Sequence, residues 1–78
     1  MARVTMYSRR RCGLCDEARS VVLDARHDAS FEFEEIFIDE DPALEEAYGL
    51  RVPVVAVDGR EEFEIAVDGA ALRRLVAR

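Results

Sequence analysis

Two cysteines stand three residues apart in Cys12-Gly13-Leu14-Cys15, and the 78-residue chain has no others. Residues at i and i+3 lie about one turn apart on one face of a helix, so the two sulfurs can join and part without large backbone movement. The chemistry this spacing suggests is reversible thiol-disulfide exchange, in which the thiolate is the attacking species. At a helix start, free N–H groups and the positive end of the dipole favour that anion. Such placement lowers a thiol pKa from about 8.5 into roughly 3.5 to 7.5. Cys12 is therefore the expected nucleophile and Cys15 the resolving thiol.

Other chemistries fit the pair less well. A structural bridge closing so short a loop removes little entropy from the unfolded chain, and a reducing cytosol would open it. A zinc site needs about four ligands, and beyond the two cysteines the chain offers only His27, so zinc would require a second chain. His27 reads as a solvated residue at a helix end. No metal is expected at the centre.

The flanking residues must place the pair between a strand and a helix. Residues 4–7, Val-Thr-Met-Tyr, carry β-branched and aromatic side chains and read as a short strand running into the cysteine loop. From Leu14, the positions Leu14, Ala18, Val21, Val22 and Ala25 share one face of a helix predicted to end near His27. Residues 31–38 read as a second strand, buried on both sides around Ile36-Phe37-Ile38. Asp41 can cap a short helix with Pro42 in its first position and Gly49 as its stop.

Residues 54–57, Val-Val-Ala-Val, belong in the middle of a sheet, and Asp58-Gly59 signals a tight hairpin into a strand over residues 63–67. Asp68 caps a last helix with Leu72, Leu75 and Val76 on its core face and Arg73, Arg74 and Arg78 near its negative end. The order is β-α-β-α-β-β-α: a parallel pair joined by a right-handed crossover, then an antiparallel hairpin. This predicts an α/β, thioredoxin-like fold over residues 1–78 as one domain, with a four-stranded mixed sheet in the order 2-1-3-4.

Half of the residues are hydrophobic and 36% are charged, as suits a folded globule rather than a disordered chain. At this length the fold buries only about 60 to 65% of the surface of the unfolded chain, so its stability margin is modest. The formal net charge of -6 argues against nucleic acid or an anionic membrane as partner. All eleven basic residues are arginine, and Arg9, Arg10, Arg11 and Arg51 fall in the two segments expected to meet at the cysteines. That would put a positive spot on an acidic body. Residues 1–7 lack the apolar stretch of a secretory signal, and no segment is long and apolar enough to span a bilayer; a cytoplasmic monomer is expected.

Pro53 opens the most apolar strand, one of the few places a sheet tolerates proline. Here the chain resembles the glutaredoxin and thioredoxin superfamily, and within it the short bacterial glutaredoxin-like proteins. The likeness runs through Tyr7-Ser8-Arg9-Arg10-Arg11-Cys12-Gly13-Leu14-Cys15-Asp16-Glu17-Ala18, Val52-Pro53-Val54 and Val57-Asp58-Gly59. It implies a cis Val52-Pro53 bond beside Cys12, with the Val52 backbone offered to substrate. It places Arg9 where such proteins use a lysine to hold glutathione and the thiolate, and Asp68 where they meet the glutathione amino group; Asp68 as a plain helix cap stays equally open. By charge alone, Arg9 with help from Arg51 is expected to recruit an anionic substrate such as glutathione or an acidic protein segment. The chain departs from the pattern at Gly13, where proline is usual, and at Phe63-Glu64, where a Gly-Gly pair usually lets glutathione approach the backbone.

The resemblance implies an enzyme, a glutaredoxin-like thiol-disulfide oxidoreductase that reduces protein or glutathione mixed disulfides through a Cys12/Cys15 redox-active center. It implies no bound cofactor, with glutathione as a possible reductant or co-substrate. Two alternatives remain: a dimer holding an iron-sulfur cluster through Cys12 and glutathione, and a redox-silent thioredoxin-fold binding module.

Overall fold

The computed structural model describes residues 1–77; Arg78, expected near the end of the last helix, lies outside them. Seven elements follow in the order β1 (Ala2–Ser8), α1 (Gly13–Ala25), β2 (Phe31–Phe37), α2 (Pro42–Tyr48), β3 (Val54–Val57), β4 (Arg60–Glu64) and α3 (Gly69–Val76). The strands form one sheet ordered β2-β1-β3-β4, with β1 parallel to β2 and antiparallel to β3, and β3 antiparallel to β4. This is the thioredoxin-like arrangement expected from the order of elements. Its directions bring the C-terminal ends of β1, β2 and β4 and the N-terminal end of β3 to one end of the sheet. The cysteine loop sits at that end.

The core forms where the strand pattern requires it. All four residues of β3 are buried, as befits an inner strand with a neighbour on each side. Val4 and Met6 of β1, Ala18 and Val22 of α1, and Leu72 and Val76 of α3 close the main cluster. Each fully buried aliphatic side chain of this kind contributes about 1.5 to 3 kcal/mol. The strand β2 is an edge strand, so Phe37 is 38% exposed and only Ile38, just beyond it, is fully buried. The double-sided burial expected for residues 36–38 fails for that reason.

Helix α1 turns a different face inward from the expected one. Its buried residues are Cys15, Ala18, Val22 and Ala25, themselves spaced i, i+3, i+7 and i+10, whereas Leu14 is 48% exposed. Seating Cys15 in the core rotates its neighbour Leu14 about 100° away, since successive helical residues are that far apart.

The last hairpin also differs from expectation. Asp58 and Gly59 both have positive φ, 52° and 85°, so the turn takes only two residues and Arg60 already pairs with Val57. The strand thus begins three residues before Phe63. A register shift leaves Glu62 between the partners of Ala56 and Val55, and the strand stops at Glu64 because Ile65 enters positive φ, 71°. The Ile65 N–H then donates to the Pro53 carbonyl at 2.8 Å.

The capping expectations hold with one change. The Asp41 carboxylate accepts from the N–H groups of Ala43 and Leu44, with Pro42 at the first helical position. Gly49 ends α2 in right-handed conformation, φ -54°, so its lack of a side chain serves space instead. A Cβ there would meet the Glu45 carbonyl oxygen at 2.5 Å and Arg9 Nη2 at 2.8 Å.

One ion pair fixes α1 to the sheet close to the cysteines. Arg19 donates through Nε and Nη2 to the two carboxylate oxygens of Glu35 on β2, at 2.8 and 2.6 Å, while Nη1 holds Asp16 at 2.8 Å. The Arg19 fork holds the Glu35 carboxyl below its ordinary value of 4.5, against the burial that raises it. Because the folded carboxyl binds its proton more weakly than the unfolded one, the pair stabilises above that ordinary value. This contribution is lost as pH falls through the lower folded value. Glu35→Gln should therefore cost about 1 to 2 kcal/mol at pH 7, between an exposed and a buried pair. It should also flatten the acid limb of stability below the ordinary value, as measured by urea unfolding across pH.

Candidate active site: a dithiol at a helix start

Cys12 is the N-cap of α1, with extended backbone at φ -121° and ψ 109°. Its sulfur accepts the N–H of Cys15 at 3.1 Å, so a helix-terminal donor points at the atom that would carry negative charge. Cys12 and Cys15 are joined as a disulfide, with Cα atoms 5.2 Å apart. The two sulfurs are not equivalent. Cys12 is half-buried at the surface, whereas Cys15 is fully buried beside Ile38 and Val52. An incoming thiol or disulfide meets Cys12 first.

The wall opposite the loop is Arg51-Val52-Pro53. The Val52-Pro53 peptide bond is cis, as the family resemblance implied, and both residues are buried. Among the described residues, no hydrogen bond engages the Val52 backbone N–H or C=O. Beneath this wall, Tyr7 and Tyr48 stack with ring centroids 4.1 Å apart and 14° between planes, and burial keeps the Tyr7 phenol above its ordinary value of 10.0. The two tyrosines pack against the cluster of Cys15, Ile38 and Val52.

Two of the four arginines singled out from the sequence, Arg9 and Arg51, are committed to other partners. Arg9 donates through Nε and Nη2 to the Gly49 carbonyl at 3.4 and 3.3 Å and pairs with Glu45 at 2.5 Å. Arg51 pairs with Glu61 at 2.9 Å, donates to the Ala47 carbonyl at 2.9 Å and lies over Tyr48 at 5.5 Å from the ring centroid. Asp68 caps α3, accepting from Ala70 and Ala71 at 3.0 and 3.1 Å. The sequence alone did not point to Glu45 and Gly49 as partners of Arg9. Nothing local signals that contact, which spans 40 positions.

Of the four arginines in the two segments that meet at the cysteines, Arg10 and Arg11 are left facing solvent. Arg10 is exposed, with its guanidinium 5.6 Å over the Phe37 ring, and Arg11, next to Cys12, is exposed in left-handed backbone at φ 55°. Neither forms an ion pair among the described residues. His27 is exposed in the turn after α1, at the opposite end of that helix from the cysteines. Among the described residues, no three His, Cys, Asp or Glu side chains cluster as metal ligands, and no helix is long and apolar enough to cross a membrane.

Comparison with known proteins places this geometry. The protein XcR50 from X. campestris is 42% identical in its X-ray structure, over 95% of each chain, with a TM-score of 0.77. Ne2328 from Nitrosomonas europaea is 26% identical over 96% of this chain and 91% of its own, with a TM-score of 0.82. A mutant thioredoxin from Halobacterium salinarum NRC-1 is 30% identical over 96% of this chain and 71% of its own, with a TM-score of 0.65. No curated protein matches the chain. The family described as Glutaredoxin-like domain (DUF836) matches residues 3–77, which takes in every element from β1 to α3 and both cysteines, and the chain belongs to that family.

Proposed function

We propose that this protein is a cytoplasmic, monomeric thiol-disulfide oxidoreductase that reduces protein or glutathione mixed disulfides. The observation that carries this reading is the asymmetry of the pair: an accessible sulfur at a helix cap, facing a backbone N–H, and a buried sulfur one turn on. In the reduced protein the Cys12 thiolate attacks a substrate disulfide. One S–S bond breaks, the leaving thiolate takes a proton, and a mixed disulfide with Cys12 forms. The Cys15 thiol then loses its proton and attacks the Cys12 sulfur. The Cys12–Cys15 bond forms and the second substrate thiol leaves, so two electrons have passed to the substrate.

The oxidised protein is returned to the dithiol by an external thiol, either glutathione or a dithiol protein. Both sulfurs come from one chain, so the reaction needs no partner subunit. Val52 offers its free backbone groups to an extended substrate strand, and Pro53 holds that segment against the loop. Arg9, Arg51 and Asp68 remain in the substrate-binding set, although an anion reaching Arg9 must displace Glu45. The experiment is turnover of a glutathione mixed disulfide, run with glutathione plus its reductase and separately with thioredoxin plus its reductase. Reduction by either system supports exchange, and absence of turnover with both opposes it.

Charge near the nucleophile gives a further expected outcome. Arg11→Glu should slow reduction of anionic glutathione disulfide by a few-fold at low salt and flatten or invert its dependence on ionic strength. Arg9→Glu sets like charges face to face at Glu45, so it should chiefly lower the melting temperature. Stopped-flow exchange rates across a salt series, with melting curves for both variants, check this.

A further inference from the structure

Ser8 is the one polar residue fully buried among the described residues, and its Oγ has no hydrogen-bond partner among them. An unpaired buried hydroxyl costs free energy, so its presence in a folded chain has to be accounted for. The sheet does not account for it: the Ser8 carbonyl accepts the Ile38 N–H at 2.8 Å, a bond that leaves the side chain idle. Nor does Glu35. The hydroxyl helps hold the Glu35 carboxyl low but closes no hydrogen bond to it, and both Glu35 oxygens already receive the Arg19 fork.

The fold sets this hydroxyl at the resolving cysteine. The Ser8 side chain lies on the face of β1 that also carries Val4 and Met6, the face covered by α1. Because α1 links two parallel strands, it runs antiparallel to β1. Its inward residues Cys15, Ala18, Val22 and Ala25 therefore meet the inward residues of β1 in reverse order, so that the first, Cys15, falls at the last, Ser8. Ile38, bonded to the Ser8 carbonyl, packs against Cys15 at the same end. Cys15 is itself fully buried, and among the described residues no hydrogen bond reaches its sulfur, whereas Cys12 receives the Cys15 N–H. A buried thiolate without a donor is held back from forming. An unused donor thus lies beside a sulfur that needs one.

We propose that the Ser8 hydroxyl is the hydrogen-bond partner of the Cys15 sulfur in the reduced protein, idle while the disulfide stands and engaged once that bond opens. The proposal rests on the exchange reading above and adds a catalytic group to its second step. There the Cys15 S–H bond breaks, and the Ser8 O–H donates to the thiolate so formed. The Cys15 sulfur bonds to the Cys12 sulfur, the bond from Cys12 to the substrate sulfur breaks, and the proton ends on the departing substrate thiol. Ser8 keeps its own proton throughout. Because the contact belongs to the dithiol alone, it also favours the reduced form over the disulfide.

The test is urea unfolding of wild type, Ser8→Ala and Ser8→Thr, each in the disulfide and the dithiol form, together with the redox equilibrium of each protein in glutathione buffers. In Ser8→Ala the folding constant of the dithiol form should fall about three-fold, through the lost bond, while that of the disulfide form rises about three-fold, through removal of an unpaired group. The redox equilibrium should accordingly move about ten-fold toward the disulfide, a potential about 30 mV more negative. Decay of the Cys12 mixed disulfide should slow by a similar factor. Ser8→Thr keeps the hydroxyl, and the cost of its extra methyl falls on both forms, so its ratio should stay within about two-fold of wild type. Equal shifts of both forms in Ser8→Ala would overturn the proposal and return the hydroxyl to packing or to Glu35. A ten-fold redox shift in Ser8→Thr as well would overturn it by assigning the effect to side-chain volume. Unfolding needs no turnover, so it decides this contact separately from the exchange reading, which turnover alone tests.

Discussion

Cys12→Ser is expected to abolish disulfide exchange, whereas Cys15→Ser is expected to stall it at a mixed disulfide with Cys12. The difference follows from position. Removing Cys12 removes the sulfur that substrate can reach and that the α1 N-terminus favours as an anion, leaving a buried thiol with no path to attack. Removing Cys15 leaves the first step intact and takes away the second, so an adduct accumulates with one substrate thiol retained. The loss in Cys12→Ser should exceed about 10³-fold, on the scale seen when a nucleophile is deleted. Mass spectrometry of each variant after incubation with glutathione disulfide reads both outcomes: no adduct for Cys12→Ser, and one glutathione per chain for Cys15→Ser.

Leu72→Ala should have the largest effect on stability. Helix α3 has only eight residues and is held to the fold chiefly by Leu72 and Val76, with Leu72 fully buried against the main cluster. Truncating a buried leucine costs about 2 to 5 kcal/mol through lost transfer energy and the cavity left behind. A domain of this length holds about 4 to 12 kcal/mol in total. The melting temperature should fall by at least about 10 °C, at several degrees per kcal/mol for so small a domain. Because α3 carries the segment of Ile65 and Val67 back across the site, the variant should lose protection there first. Hydrogen exchange of the α3 and β4 amides, with thermal unfolding, checks both parts.

Much of the fold was legible because its signals are local. The Asp41 and Asp68 caps, the Asp58-Gly59 turn and the uniformly apolar Val54 to Val57 run each specify their element from neighbouring residues alone. The cysteine pair was legible for the same reason, since spacing and a strand-to-helix context determine its placement. What could not be read depends on distant partners. Leu14 looked like a core residue by periodicity, but seating Cys15 turned it outward. The end of β4 differs because a two-residue turn and the Ile65 bond to Pro53 determine it, and neither the register shift nor that bond has a sequence signature. Arg9 looked like a free cation, and only the fold brings Glu45 and Gly49 to it.

The central claim is that Cys12 is the reactive thiolate of the reduced protein, and the most direct measurement is the rate of iodoacetamide alkylation at each cysteine from pH 5 to 9, resolved by mass spectrometry. The expected result is rapid modification of Cys12 already at about pH 6 to 7, with Cys15 unmodified in the folded protein, because thiolate character and access coincide only at the helix cap. Alkylation of Cys12 that rises only near pH 8.5 and above, as for an ordinary thiol, or modification of Cys15 ahead of it, would contradict the assignment.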